Sequence, residues 1–183
     1  MRFVPLPLAG AFCIEDDPFS DHRGRFFRIY CEQELQAIGL NKPIAQANMS
    51  LTKQKGAVRG MHFQHPPHAE CKIIRCLVGA VFDVIVDLRQ GAATFLQWYG
   101  EILTPDSQKA LFVPEGFAHG FQVLEEYSQL LYMHTHSYDP ASEGAVRFND
   151  PLIKIDWPLS PTDVSERDAG IPLLDQSFQG IKI

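Results

Sequence analysis

The chain has 183 residues, 45% of them hydrophobic and 21% charged, which fits one globular domain with a real core. Its formal net charge of −6 excludes a general nucleic-acid-binding surface. No apolar run approaches the roughly 20 residues that a membrane-spanning helix needs.

The N-terminal stretch MRFVPLPLAGAF carries one Arg and an apolar segment interrupted by Pro5 and Pro7, too short and too broken for a secretory signal. Cys13, Cys31, Cys71 and Cys76 form no CxxC pair and no visible disulfide framework, so reduced thiols and a cytoplasmic location are expected. Residues 26–30 (FFRIY) read as a first strand. A short helix is predicted over 31–38, with Gly39 as its C-terminal stop. Further strands are predicted at 44–51, 57–64, 72–78, 80–88, 94–103, 110–113, 117–124 and 128–135, divided by Gly- and Pro-containing turns.

The clearest alternation lies in 80–88, where Phe82, Val84, Val86 and Leu88 share one face and Asp83 and Asp87 the other. The segment from 149 onward is rich in Pro and Asp and is expected to wrap over the strands. Within it, 165–168 reads as a helical turn with Ser165 as N-cap. So many short strands separated by turns predict an all-β sandwich or barrel formed by a single domain, 1–183.

Three strands carry polar residues where apolar ones are expected: Arg59 to Gln64, Pro114 to Phe121, and Leu131 to His134. Alternation puts His62 with Gln64, His119 with Phe121, and Tyr132 with His134 on shared faces. In a small barrel the inward faces line a cavity, so these residues are candidates for one pocket. Each alone has a plain structural explanation. Their joint occurrence with Arg59 and Lys72 makes the functional case.

The stretch Pro114-Glu115-Gly116-Phe117-Ala118-His119 resembles the second cupin motif. The first motif of metal-binding cupins, HxH followed by Glu and Gly, is matched here by His62-Phe63-Gln64, Lys72 and Gly79. Gln replaces a His and Lys replaces the Glu, and an ammonium repels a divalent cation. No metal and no other cofactor is therefore expected. DHRGRFF (21–27), QANMS (46–50), VRGMHFQ (58–64), GAVFDVIVDLR (79–89), VPEGFAHGFQVL (113–124), TxxY (135–138), FNDPLIKIDWP (148–158) and SERD (165–168), together with Lys72 and Tyr132, are similar to the dTDP-4-dehydrorhamnose 3,5-epimerase family over roughly residues 15–170.

That resemblance implies a cupin-type jelly-roll barrel with a few short helices. It also implies an isomerase acting on a nucleotide-linked 4-keto-6-deoxyhexose, through proton removal next to the C4 ketone and return on the opposite face. His62 is then the base and Asp168 its dyad partner, Lys72 stabilises the enolate oxygen, and Tyr132 returns a proton at C5. His119 is a supporting pocket residue. Arg59 and Arg23 are expected on the diphosphate, Gln46 and Asn48 on ribose or phosphate, and Phe26 and Tyr138 against the nucleobase. The family implies a homodimer in which Arg23 and Phe26 arrive on an exchanged N-terminal strand.

The chain departs from the family pattern at two places. Arg28 stands where members usually carry Glu at the nucleotide end, and it either meets the nucleotide, or points to solvent or pairs with a nearby acid such as Glu32. Met133-His134 follow Tyr132 in place of the commoner Lys-Cys, which leaves open epimerisation at C3 or C5 alone. Two other readings are a metal-dependent cupin enzyme, distinguishable by one bound equivalent of metal, and a non-catalytic sugar-nucleotide-binding cupin, which has no need of both a base and an acid.

Overall fold

Period-two patterning sorts most of the chain into thirteen strands in the computed structural model, which describes all 183 residues. They are β1 (Arg2–Pro5), β2 (Phe12–Glu15), β3 (Phe19–Asp21), β4 (Gly24–Phe26), β5 (Gln46–Thr52), β6 (Val58–Gln64) and β7 (Lys72–Val78). Then follow β8 (Val81–Asp87), β9 (Trp98–Leu103), β10 (Lys109–Val113), β11 (Phe117–Val123), β12 (Ser128–His134) and β13 (Glu143–Ala145). The helices are α1 (Glu32–Leu35), continued by a 3₁₀ turn over Gln36–Ile38, and α2 (Glu166–Ala169).

Consecutive strands from β5 to β12 mostly alternate between two antiparallel sheets. One runs β1-β2-β10-β7-β12-β5 and the other β13-β6-β11-β8-β9. This is the jelly roll of a cupin-type barrel, as expected. Between the sheets lies a cluster of 15 buried residues that includes Ile74, Val81, Ile85, Leu111, Phe121 and Leu130. The apolar side of β8 turns outward, where Val84, Val86 and Leu88 pack with Ile153 and Ile181 of the C-terminal segment. The acidic side of β8 turns inward, and Asp83 and Asp87 are fully buried.

Several expected elements form as read. Gly39 ends the 3₁₀ turn in the left-handed region at φ 89°, and the Ser165 hydroxyl accepts from the Asp168 N–H. All four cysteines are unpaired, and burial foremost pushes the thiols of Cys13, Cys71 and Cys76 up to about 11. No helix is long and apolar enough to cross a membrane.

Two strands are shorter than expected. In place of a strand over 26–30, the ladder between β3 and β4 ends at the Phe19–Phe26 pair, because Pro18 has no N–H to extend it. Phe27 instead lies under the Arg75 guanidinium, 5.7 Å from ring centroid to Cζ. In place of a strand from 94, β9 begins at Trp98. Asp87 holds the preceding turn: its carboxylate accepts from the Thr94 hydroxyl at 2.5 Å and its carbonyl from the Leu96 N–H at 2.8 Å. Leu96 adopts φ 61°, which breaks the extended run.

Candidate active site

The open side of the barrel, between edge strand β5 and the β6–β13 side of the other sheet, holds a cavity of about 350 Å³. Its lining includes Gln46, Asn48, Arg59, His62, Lys72, His119, Tyr132 and Tyr138. The structure thus brings together eight of the twelve residues expected from sequence, and Asp168 joins them from behind through His62. β-pairing explains the convergence. His62 sits opposite His119 across β6 and β11, while Tyr132 and His134 of β12 pair with Asn48 and Gln46 of β5.

The His62 Nε2 lies 2.8 Å from Asp168 Oδ1. A carboxylate only accepts, so Nε2 carries the proton and Nδ1 is the free, basic nitrogen. The Gly60 N–H donates to the other Asp168 oxygen at 3.2 Å. Burial works to raise the Asp168 pKa, but the His62 bond, the Gly60 N–H and the Ser165 contact prevail and hold the carboxyl below the usual range. Gly60 is required here by space and backbone together. Its φ is 120°, and a Cβ would stand 2.5 Å from the Gly120 Cα on β11. At this irregularity of the β6–β11 ladder, Arg59 rather than Gly60 pairs with Phe121.

Lys72 is 7% exposed, and its ammonium donates to the His62 carbonyl and faces Glu70 Oε1, both at 3.3 Å. The half-buried Tyr132 hydroxyl lies 3.1 Å from Ser50 Oγ. Burial foremost, and the Asp83 charge, raise its pKa against the opposing Ser50 bond and Arg59 charge, so the phenol stays protonated at neutral pH. His119 Nε2 bonds Asp83 Oδ1 at 2.8 Å, and its ring meets Tyr132 edge-on at 6.0 Å. Arg59 is exposed, with Thr52 Oγ1 at 3.5 Å as its closest polar partner, so its donors are free for an anion. Arg59 and His62 also border a second recess of about 550 Å³, lined further by Lys53 and Arg167. Gln46 Oε1 accepts from the Tyr138 N–H at 2.9 Å, and the Tyr138 hydroxyl donates to Glu143 at 2.9 Å.

The donors at the metal-cupin motif positions already have protein partners. His62 binds Asp168, His119 binds Asp83, and both ends of the Gln64 amide hold backbone of the His68 and 137–139 segments. No three His, Cys, Asp or Glu side chains converge as a cation site.

The dTDP-4-dehydrorhamnose 3,5-epimerase family model matches residues 5–176. This chain belongs to that family. It is 45% identical over 180 residues to the dTDP-4-dehydrorhamnose 3,5-epimerase of Salmonella typhimurium, covering 97% of this chain and 98% of that one. It is 39% identical over 178 residues to a dTDP-4-dehydrorhamnose 3-epimerase of Streptomyces niveus, covering 97% and 86%. The crystal structure of the Legionella pneumophila epimerase in complex with dTDP-4-keto-L-rhamnose superposes with a TM-score of 0.91 at 33% identity, covering 100% of this chain and 98% of that one.

Within one chain, three family positions lie away from the cavity. Arg23 and Phe26 sit on the β3–β4 hairpin, whose own recess shares no residue with the cavity lining. Arg23 pairs with Asp21 at 2.6 Å, and Phe26 is 78% exposed. Arg28 pairs with Glu34, not with Glu32. Glu34 also receives the Met1 ammonium at 2.9 Å, which fixes it beside Arg28.

Sequence reasoning missed three acids. Asp83 was readable only as one side of the β8 alternation, and its inward turn is what places it behind His119. Glu70 stands outside the motifs that single out the other residues, yet it bonds Lys72 and His134. Glu143 holds both Tyr138 and Arg167, and no motif in the sequence signals it.

Proposed function

We propose that this protein is a metal-free isomerase that epimerises a dTDP-linked 4-keto-6-deoxyhexose at C3 and C5. The observation that carries this reading is the His62–Asp168 pair at 2.8 Å, set beside the buried Lys72 ammonium and a protonated Tyr132 in one cavity. Simple binding needs no such combination of base, cation and acid.

His62 Nδ1 takes the proton from the carbon next to the C4 ketone. The electron pair of the broken C–H bond moves into the enolate, whose oxygen faces the Lys72 ammonium. Asp168 stabilises the resulting imidazolium and fixes the ring. A proton then returns on the opposite face, at C5 from Tyr132, and solvent restores both groups. A fixed cation at the developing oxyanion lowers the barrier because it needs no reorganisation during the step. His119 and Asp83 back the Tyr132 side of the cavity.

Arg59 grips the diphosphate, Gln46 and Asn48 contact ribose or phosphate, and Tyr138 stacks on the base. Arg23 and Phe26 are supplied by the neighbouring subunit of a homodimer through an exchanged N-terminal segment. Two exposed aromatic rings on the hairpin, Phe19 at 69% and Phe26 at 78%, support that assignment, since such surface is ordinarily covered. Arg28 follows two residues later and travels with that segment. The unpaired thiols suit a reducing cytoplasm.

Incubation with dTDP-4-keto-6-deoxyglucose in deuterated water tests the reading. Deuterium at both C3 and C5 is expected. Uptake at one carbon makes the protein a monoepimerase, as the Streptomyces niveus relative is named. Uptake at neither refutes the proposal.

A further inference from the structure

Beside the proposed enolate site stands a buried pair that the mechanism above does not use. Glu70 Oε1 faces Lys72 Nζ at 3.3 Å, and Oε2 bonds His134 Nδ1 at 2.9 Å. The three side chains are 7%, 9% and 12% exposed, in the order Glu70, Lys72, His134. Burial opposes ionisation of Glu70, but the His134 bond and the Lys72 charge outweigh it and hold the carboxyl below its ordinary range.

An ionised carboxylate only accepts, so His134 Nδ1 donates to Glu70, and in the neutral imidazole Nε2 is the nitrogen that carries the lone pair. That Nε2 has no protein partner and is not among the sealed, unsatisfied atoms, and the ring lines the cavity. The imidazole stacks on Tyr132, with centroids 6.1 Å apart and planes 20° from parallel. In register, His134 sits opposite Lys72 on β7. The imidazole is therefore fixed beside the cation for the C4 oxygen and the acid for C5.

In a 4-keto-6-deoxyhexose, C5 carries the methyl group and the ring oxygen, so the hydroxyl next to the carbonyl is the one on C3. We propose that His134, oriented by Glu70, is a further substrate-contacting residue whose Nε2 accepts a hydrogen bond from the C3 hydroxyl and so selects sugars that carry it. This rests on the sugar-epimerase reading. A site built to bond a hydroxyl discriminates against a substrate that lacks it, because its acceptor is left unpaired.

The test is a cycle of substrate and side-chain deletion, read as deuterium exchange at C5. The substrates are dTDP-4-keto-6-deoxyglucose and its 3-deoxy analogue, and the enzymes are wild type and His134→Leu. Wild type is expected to lose about tenfold in kcat/KM on the analogue, the scale of one hydrogen bond. His134→Leu is expected to lose about tenfold on the parent and no more than about twofold on the analogue. His134→Phe, which keeps a ring on Tyr132 without an acceptor, should repeat this pattern if the Leu variant does not fold. Equal losses on both substrates overturn the role of His134 and leave the epimerase reading intact. No exchange by wild type on the parent overturns both.

Discussion

Two histidine–aspartate pairs border the cavity with the same 2.8 Å bond, yet their carboxyl groups are shifted in opposite directions. Two hydrogen-bond donors reach the Asp168 carboxylate, one on each oxygen: His62 Nε2 and the Gly60 N–H. Asp83 is fully buried, has His119 alone as hydrogen-bond partner, and leaves Oδ2 without one. For Asp83, burial prevails over the His119 and Lys72 attractions and pushes the pKa up. Distance between partners thus says little about the state of the pair. The number of donors on the carboxylate decides it. Asp168 is a settled anion suited to stabilise a charged His62, and Asp83 is a group whose ionisation the fold opposes.

The largest expected effect breaks the first pair. His62→Ala should reduce hydrogen exchange at both C3 and C5 by about 10²–10⁴-fold, the usual contribution of a positioned acid–base group. Circular dichroism should show the fold intact, because His62 is only half-buried. Exchange within about tenfold of wild type would remove His62 from the role of base.

The next effect probes the side of the second pair. Tyr132 meets His119 edge-on, and Asp83 contributes to keeping its proton in place. Tyr132→Phe preserves the ring and deletes the proton, so C3 exchange should continue while inversion at C5 is lost. NMR of the product sugar reads both positions. Equal loss at both carbons, or none, would take the C5 proton away from Tyr132.

The two pairs should also separate in their pH-dependent stability. The pKa of Asp168 is lower folded than unfolded, so its contribution is present above the unfolded value, about 4, and is lost as pH falls through the folded value. Asp168→Asn should therefore lower the Tm at pH 7, and the gap to wild type should narrow below about pH 4. The pKa of Asp83 is higher folded than unfolded. Its contribution is present below the unfolded value and is lost as pH rises through the folded one. Asp83→Asn should therefore gain on wild type as pH rises from about 4 toward neutrality. Thermal melts across that range decide it. Parallel curves for the two variants would mean that the pairs are equivalent after all.

How far this contrast was visible beforehand follows from sequence distance. His62, Lys72, His119 and Tyr132 betray themselves locally, as polar residues inside apolar strands. Asp168 lies 106 residues from His62 on a one-turn helix, and only the family resemblance pointed to it. The alternation of β8 was plain, but which side faces inward depends on the C-terminal segment, whose Ile153 and Ile181 cover Val84 and Val86. The FFRIY run promised a longer strand because its apolar residues alternate. The missing N–H belongs to Pro18, just before the opposing strand, where a pattern read along one segment does not register it.

A third ion pair sets the lower end of the scale. Arg28 and Glu34 are surface groups: the guanidinium side chain is 60% exposed, and neither residue lines the cavity. The pair raises the Arg28 pKa and lowers that of Glu34 through hydrogen bonding, with the Met1 ammonium the largest influence on Glu34. Exposed pairs of this kind add little to stability, since solvent screens them. Arg28 is also occupied by Glu34, and a guanidinium cannot accept a hydrogen bond from a base N–H. Arg28→Glu should then shift the affinity for dTDP by less than about threefold and leave the order among dTDP, UDP, CDP and GDP unchanged. Isothermal titration with the four nucleotides measures this. A shift of about tenfold, or a reordering, would mean that Arg28 leaves Glu34 and reads the nucleotide directly. In that case charge at the nucleotide end would belong beside the two buried pairs as a determinant of which substrate is turned over.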